Sequence, residues 1–169
     1  MPILSRIRTA FLAGLLVAAS AFAADQPAPL RVEAEMLDGS RYVLDDSRGF
    51  ITLLSFWSPD SLASRKCLGE LQRFHQDYES RGVKVVAIST VNDAAMLRAF
   101  TAKRKLSLPV AMLGENNLGA IPEDQLPIVL VLDRDGKVVA SRAGLFSYRM
   151  LEVLAVPPLM KPVSGTTPQ

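Results

Sequence analysis

Ser61, Ser64, Cys67 and His75 are the side chains whose type and spacing could do chemistry. The first three stand at i, i+3 and i+6, so one helix would carry them within two turns. A serine nucleophile needs a base and an orienting acid. His75 is the only histidine and lies fourteen residues after Ser61. At about 1.5 Å rise per residue the two are some 20 Å apart, which rejects a Ser61–His75 dyad. Ser61 therefore reads first as a helix N-cap, satisfying an orphan amide of the first turn. Cys67 is the only cysteine, which excludes an intramolecular disulfide and any multi-cysteine metal site. With one histidine, most histidine-based metal sites are excluded too, so no metal and no cofactor is expected.

Two readings of Cys67 compete. As a monothiol it has Arg65 and Lys66 beside it, and positive charge lowers a thiol pKa. As packing it falls on an apolar stripe, with Cys67, Leu71, Phe74 and Tyr78 at i, i+4, i+7 and i+11. A free cysteine is usually a small buried hydrophobe, and the buried, inert reading is preferred. An exposed thiol would also permit a Cys67-linked dimer.

The elements that must position these residues follow from periodicity. Leu30–Met36 and Arg41–Leu44 flank Asp38-Gly39, a hairpin signal. Ile51–Trp57 is a nearly continuous apolar run, as a buried central strand requires. Ser61–Ser80 has helical periodicity, with Leu68, Leu71, Phe74 and Tyr78 on one face. Val83–Thr90 reads as a second buried strand. Asp93–Lys105 reads as a helix with Met96, Leu97 and Phe100 inward and Asn92 or Asp93 as cap. Ile128–Leu132 and Lys137–Ala143 are strands joined by Asp133-Arg134-Asp135-Gly136, a tight turn that explains both acids without a metal. A last helix runs from about Ser147 to Ala155. The order β, β, β, α, β, α, β, β, α contains a β-α-β unit with a right-handed crossover and a final antiparallel hairpin. It predicts a three-layer α/β/α domain with a mixed central sheet and an N-terminal β-hairpin.

Composition sets the context. Of 169 residues, 49% are hydrophobic and 21% charged, enough apolar material to fill one core and exclude disorder as the main state. Residues 1–23 read as a signal peptide: Arg6 and Arg8, an apolar run over Ala10–Ala19, and an A-x-A cleavage site at Ala21-Phe22-Ala23. Without Arg6 and Arg8 the chain carries 17 basic and 17 acidic residues, with no nucleic-acid footprint and no polybasic anchor. The chain divides into that segment, a 24–29 linker, a domain over 30–155 and a Pro-rich flexible tail over 156–169. Its expected place is the periplasm, with no stable membrane anchor after cleavage.

The string Phe56-Trp57-Ser58-Pro59-Asp60-Ser61-Leu62-Ala63-Ser64-Arg65, running on to Leu71, resembles the active-site segment of TlpA/ResA-type thioredoxin-like (redoxin) proteins, F-W-A-x-W-C-x-x-C-R-x-E-x-P-x-L. The alignment needs no gap, and Phe56, Trp57, Arg65 and Leu71 match. Downstream, Leu126-Pro127 through Asp133 to Gly136 resembles the family's G-x-P-x-x-x-x-I-D-x-x-G, with Pro127 on its cis-proline. The resemblance spans about residues 30–155 and implies a thioredoxin-like fold.

The departures decide the expected function. The family's two cysteines fall on Ser61 and Ser64, Asp60 replaces a tryptophan, and Gly69 replaces a proline. Thiol–disulfide exchange needs a thiolate and a second, resolving thiol, which serines cannot supply. So no catalytic residue is expected at Ser61 or Ser64. The resemblance implies a groove beside the cis-proline, with Trp57, Asp60, Leu62, Ala63, Leu126 and Pro127 as partner-binding candidates. The expected function is non-catalytic: an adaptor or assembly factor of the cell envelope that binds an unidentified protein or peptide. The alternative is a monothiol oxidoreductase or thiol peroxidase through Cys67. Ser64-x-x-Cys67 is similar to the peroxiredoxin T/S-x-x-C, although Pro59 to Ser64 is one residue too long for the usual P-x-x-x-T-x-x-C.

Overall fold

The computed structural model describes residues 28–161. The signal peptide, most of the 24–29 linker and residues 162–169 of the tail lie outside the described residues. Seven strands form one mixed sheet: β1 (Val32–Met36), β2 (Arg41–Val43), β3 (Ile51–Trp57), β4 (Val83–Ser89), β5 (Val110–Asn116), β6 (Ile128–Leu132) and β7 (Val138–Ala143). Their order across the sheet is β2-β1-β5-β4-β3-β6-β7. β3, β4 and β5 run parallel, while β1, β2, β6 and β7 join antiparallel. The helices are α1 (Leu62–Tyr78), α2 (Ala94–Lys103) and α3 (Tyr148–Met160).

The two faces of the sheet are covered differently. The crossovers β3-α1-β4 and β4-α2-β5 step the same way along the sheet, so a common hand puts both helices on one face. α3 joins them, and Leu71, Phe74, Leu97 and Leu151 meet the odd-numbered residues of β3 and β4 in one core cluster. The opposite cluster, with Leu54, Phe56, Val86 and Ile88, is closed by a 3₁₀ turn at Leu44–Ser47 and by Leu118, Ile121 and Leu126. This second outer layer is thin and has no α-helix among the described residues. Every residue of β3 is buried, as its unbroken apolar run requires. Asp93 caps α2 by accepting from the Met96 amide (2.9 Å). Asp133 accepts from the amides of Asp135 (3.0 Å) and Lys137 (2.9 Å), the turn chemistry expected of it.

Two elements depart from the periodicity reading. β5 is a strand that the apolar pattern does not announce. Only Val110, Ala111 and Met112 are fully buried, and its second half is half-buried at Leu113 and Asn116, exposed at Glu115, and interrupted by Gly114. A Cβ on Gly114 would lie 2.9 Å from the Glu33 carbonyl oxygen of β1, so close strand approach dictates glycine there. The second departure is α3, which continues past Ala155 to Met160, so residues 156–160 are helix and not tail. Pro158 is buried on the same stripe as Leu151 and Ala155. Arg134, from the β6–β7 turn, donates to the carbonyls of Leu159 (3.0 Å) and Lys161 (2.8 Å) and caps the helix end.

Candidate functional site

Where β3 gives way to α1 the chain turns through Ser58-Pro59-Asp60-Ser61. Four serine contacts shape that turn. The Ser61 amide donates to the Ser58 carbonyl (3.2 Å), and the Asp60 amide to Ser58 Oγ (3.2 Å). The Ser64 amide donates to Ser61 Oγ (3.2 Å), which makes Ser61 the N-cap of α1, as expected. The Ser58 amide donates to Ser64 Oγ (3.3 Å), and Ser64 is buried. Arg65 Nη1 donates to the carbonyls of Pro59 (2.7 Å) and Asp60 (3.3 Å), a clamp on the turn.

The Leu126-Pro127 bond is cis, and it meets this turn through backbone. Ser61 Oγ donates to the Leu126 carbonyl (3.3 Å). The Gly144 amide in turn donates to the carbonyls of Pro127 (2.9 Å) and Gln125 (3.1 Å), bringing the Gly144–Phe146 loop alongside. Ser61, Leu126 and Pro127 are thus brought together, as the resemblance implies.

Burial separates the groove candidates, covering the side chains of three of them. Trp57 is 0% exposed and packs at 5.4 Å between ring centroids on Phe100 of α2. Its place on a strand covered on both faces turns the ring into the helix-side core. The Leu126 side chain is buried in the opposite cluster, and Pro127 is buried beside it. The surface is carried instead by Asp60 and Leu62, both exposed, and by Ala63, half-buried. The sequence reading missed Leu145, which is 55% exposed against 59% for Leu62. An apolar residue directly after Gly144, in a loop, is the one signal that could have flagged it.

Cys67 lies on the buried face of α1 and is 2% exposed. Its sulfur accepts from the Phe146 amide (3.3 Å) and lies 3.5 Å from the Phe146 carbonyl. Burial pushes the thiol pKa up, the Phe146 amide pulls the other way, and the Glu70 carboxylate adds to the rise. The adjacent Arg65 and Lys66 do not reverse this, because Arg65 is spent on the turn and Lys66 points outward. The packing reading describes this sulfur, which is not at the surface. The native state holds the thiol proton more tightly than the unfolded chain. The stability this brings is whole below the unfolded thiol's pKa of about 8.5 and is lost as pH rises through the native value. In the folded protein Cys67 is expected to react with a thiol reagent roughly a thousandfold more slowly than in denaturant. Fast native labelling that disappears in Cys67→Ser would reinstate the monothiol reading.

His75 is buried near the far end of α1, away from this turn. Its position confirms that no Ser61–His75 pair exists, and it is more buried than a surface helix residue.

Comparison with known proteins adds the following. Residues 24–146 match the family model described as the AhpC/TSA family. The chain is similar to the thiol-disulfide oxidoreductase ResA of Bacillus cereus, 26% identical over 117 residues, covering 69% of this chain and 68% of that one. Among solved structures it is similar to a secreted thiol-disulfide isomerase from Corynebacterium glutamicum. There the TM-score is 0.68 at 17% identity, over 79% of this chain and 86% of that one. It is also similar to a thiol:disulfide interchange protein of the thioredoxin family from Chlorobium tepidum. That match has a TM-score of 0.66 at 16% identity, over 79% and 97% of the two chains. The fold is thioredoxin-like.

Proposed function

The chain belongs to the AhpC/TSA family, and from that premise we propose that it is an exported thioredoxin-like protein that binds polypeptide and does not exchange disulfides. Family membership describes ancestry and fold, while function rests on the site. The observation that carries the reading is the bonding of Ser61. Its oxygen caps α1 and donates to the Leu126 carbonyl, so the position that would hold a nucleophile holds a structural hydroxyl. Ser64 Oγ is likewise tied to the Ser58 amide, and Cys67 is sealed in the core.

The binding surface is the exposed apolar pair Leu62 and Leu145 with Asp60, around the Ser61–Leu126 contact. Exposed apolar residues beside backbone of fixed geometry suit an extended polypeptide. Export is supported by the N-terminal pattern of Arg6, Arg8 and Ala21-Phe22-Ala23. The role is that of an adaptor or assembly factor in the cell envelope. Purified protein is expected not to accelerate the reduction of insulin disulfides by dithiothreitol above the uncatalysed rate. It is expected to bind a reduced, carboxymethylated polypeptide, with affinity reduced about tenfold in Leu62→Asp. Catalysed insulin reduction would overturn the proposal, as would binding indifferent to Leu62.

A further inference from the structure

The sheet ends on β7, and that end is open. β7 pairs with β6 alone and is last in the strand order. Its backbone directions follow from the ladder. The Gly144 amide donates to the Pro127 carbonyl (2.9 Å), and Arg142 and Ala140, at even steps back along the strand, lie opposite Val129 and Val131. Those residues bond inward to β6, so Ser141 and Ala143 turn N–H and C=O outward. Among the described residues no group pairs with these outward groups. Ser141, Arg142 and Ala143 are all exposed, so no other part of the described chain covers the edge.

An open edge is a template for another strand, and proteins blunt such edges with bulges and charge. Here the bulge sits at the start of β7, where the register slips between Val131 and Leu132, and Ala140–Ala143 stays regular. The charge is of one sign. From Lys137 to Arg149 the chain carries Lys137, Arg142 and Arg149 and no acid. Among the described residues neither Lys137 nor Arg142 makes an ion pair. Val138 and Val139 add apolar surface, 46% and 45% exposed. These charges argue against a second copy as the occupant. Antiparallel pairing of two β7 strands centred on Ser141 would make the two Arg142 side chains diagonal neighbours on one face.

We propose that the outer edge of β7 is a second polypeptide site, which takes by strand addition an extended segment of a partner that alternates acidic and apolar residues. The backbone of such a segment supplies donors and acceptors to Ser141 and Ala143. Side chains alternate across a strand, so acids at every second residue lie together on one face. On the face of Arg142 they meet a cation that has no acidic partner in the described chain. The apolar side chains fall on the other face, which Val138 and Ser141 share through their register with Leu132 and Leu130. This edge lies two strands from β3, about 10 Å across the sheet, and does not depend on the Leu62–Leu145 surface.

The test is amide NMR on the labelled protein with three probes: acetyl-Val-Glu-Val-Glu-Val-amide, its backbone N-methylated analogue, and acetyl-Val-Lys-Val-Lys-Val-amide. The first peptide is expected to shift the amides of Ser141 and Ala143 and to slow their hydrogen exchange about tenfold, with the Leu62 amide unmoved. The N-methylated analogue keeps the charge but loses the donors, and neither it nor the lysine peptide gives these effects. Arg142→Glu, at an exposed position, lowers affinity for the acidic peptide about tenfold and admits the lysine peptide, with an unchanged circular dichroism spectrum. Ser141→Pro removes an outward N–H and no ladder bond, and it abolishes the shift at Ala143. An equal response to the N-methylated or the lysine peptide would overturn the proposal. So would peptide shifts confined to the Leu62 face, or no shift from any probe at millimolar concentration. Concentration-dependent shifts at Ser141 without peptide would overturn it too, by giving the edge to a second copy.

Discussion

Ser61→Cys combined with Ser64→Cys is expected to give a protein that cycles between dithiol and disulfide. The geometry is already in place. Residues three apart on a helix have Cβ atoms about 5–6 Å apart in the backbone, within reach of a bridge after small adjustment. Residue 61 is half-buried at the N-terminus of α1, where free amides and the helix dipole stabilise a thiolate. Residue 64 is 1% exposed, one turn further in, which suits a resolving thiol shielded from other partners. Loss of the Ser61 cap costs about 1 kcal/mol, well within the stability of a domain this size. Intact mass after mild oxidation should show loss of two hydrogens, and insulin reduction should appear in the double variant alone. Two thiols that stay free under glutathione disulfide would show that more than the cysteines has changed at this turn.

Trp57→Ala is expected to destabilise the domain by about 3–5 kcal/mol, the cost of emptying a fully buried aromatic site. At this size that lowers the melting temperature by roughly 10–15 °C. Trp57→Phe is expected to cost only about 1–2 kcal/mol, because Trp57 Nε1 has no hydrogen-bond partner to lose and the ring contact with Phe100 survives. Neither variant, while folded, should alter binding at the Leu62–Leu145 surface. Calorimetry with the polypeptide titration separates the cases. Weaker binding by Trp57→Phe at an unchanged melting temperature would return the indole to the groove.

The contrast between Trp57 and Leu62 shows why some of the site could be read in the sequence and some could not. Spacing placed Ser61 at a helix start, since capping and strand-to-helix turns are local interactions, while its place beside the cis-proline was implied only by the family resemblance. Which side of the sheet each side chain enters depends on what packs over it. Trp57 and Leu126 stand next to the site in sequence, yet their side chains go into opposite core clusters and only the Leu126 carbonyl meets Ser61. Leu145 joins the surface only because the Gly144 amide bonds to the Pro127 carbonyl, a contact between segments far apart in the chain.

By itself the sequence determined the β-α-β order, the buried β3 strand, the cap at Ser61, the apolar stripe that includes Cys67, and the absence of a dithiol. These rest on periodicity, capping and residue chemistry, all local. The tertiary structure alone decided the burial of Trp57, the exposure of Leu145, the continuation of α3 under Arg134, and the open outer edge of β7. Each depends on which distant backbone lies opposite, and no local pattern encodes that neighbour.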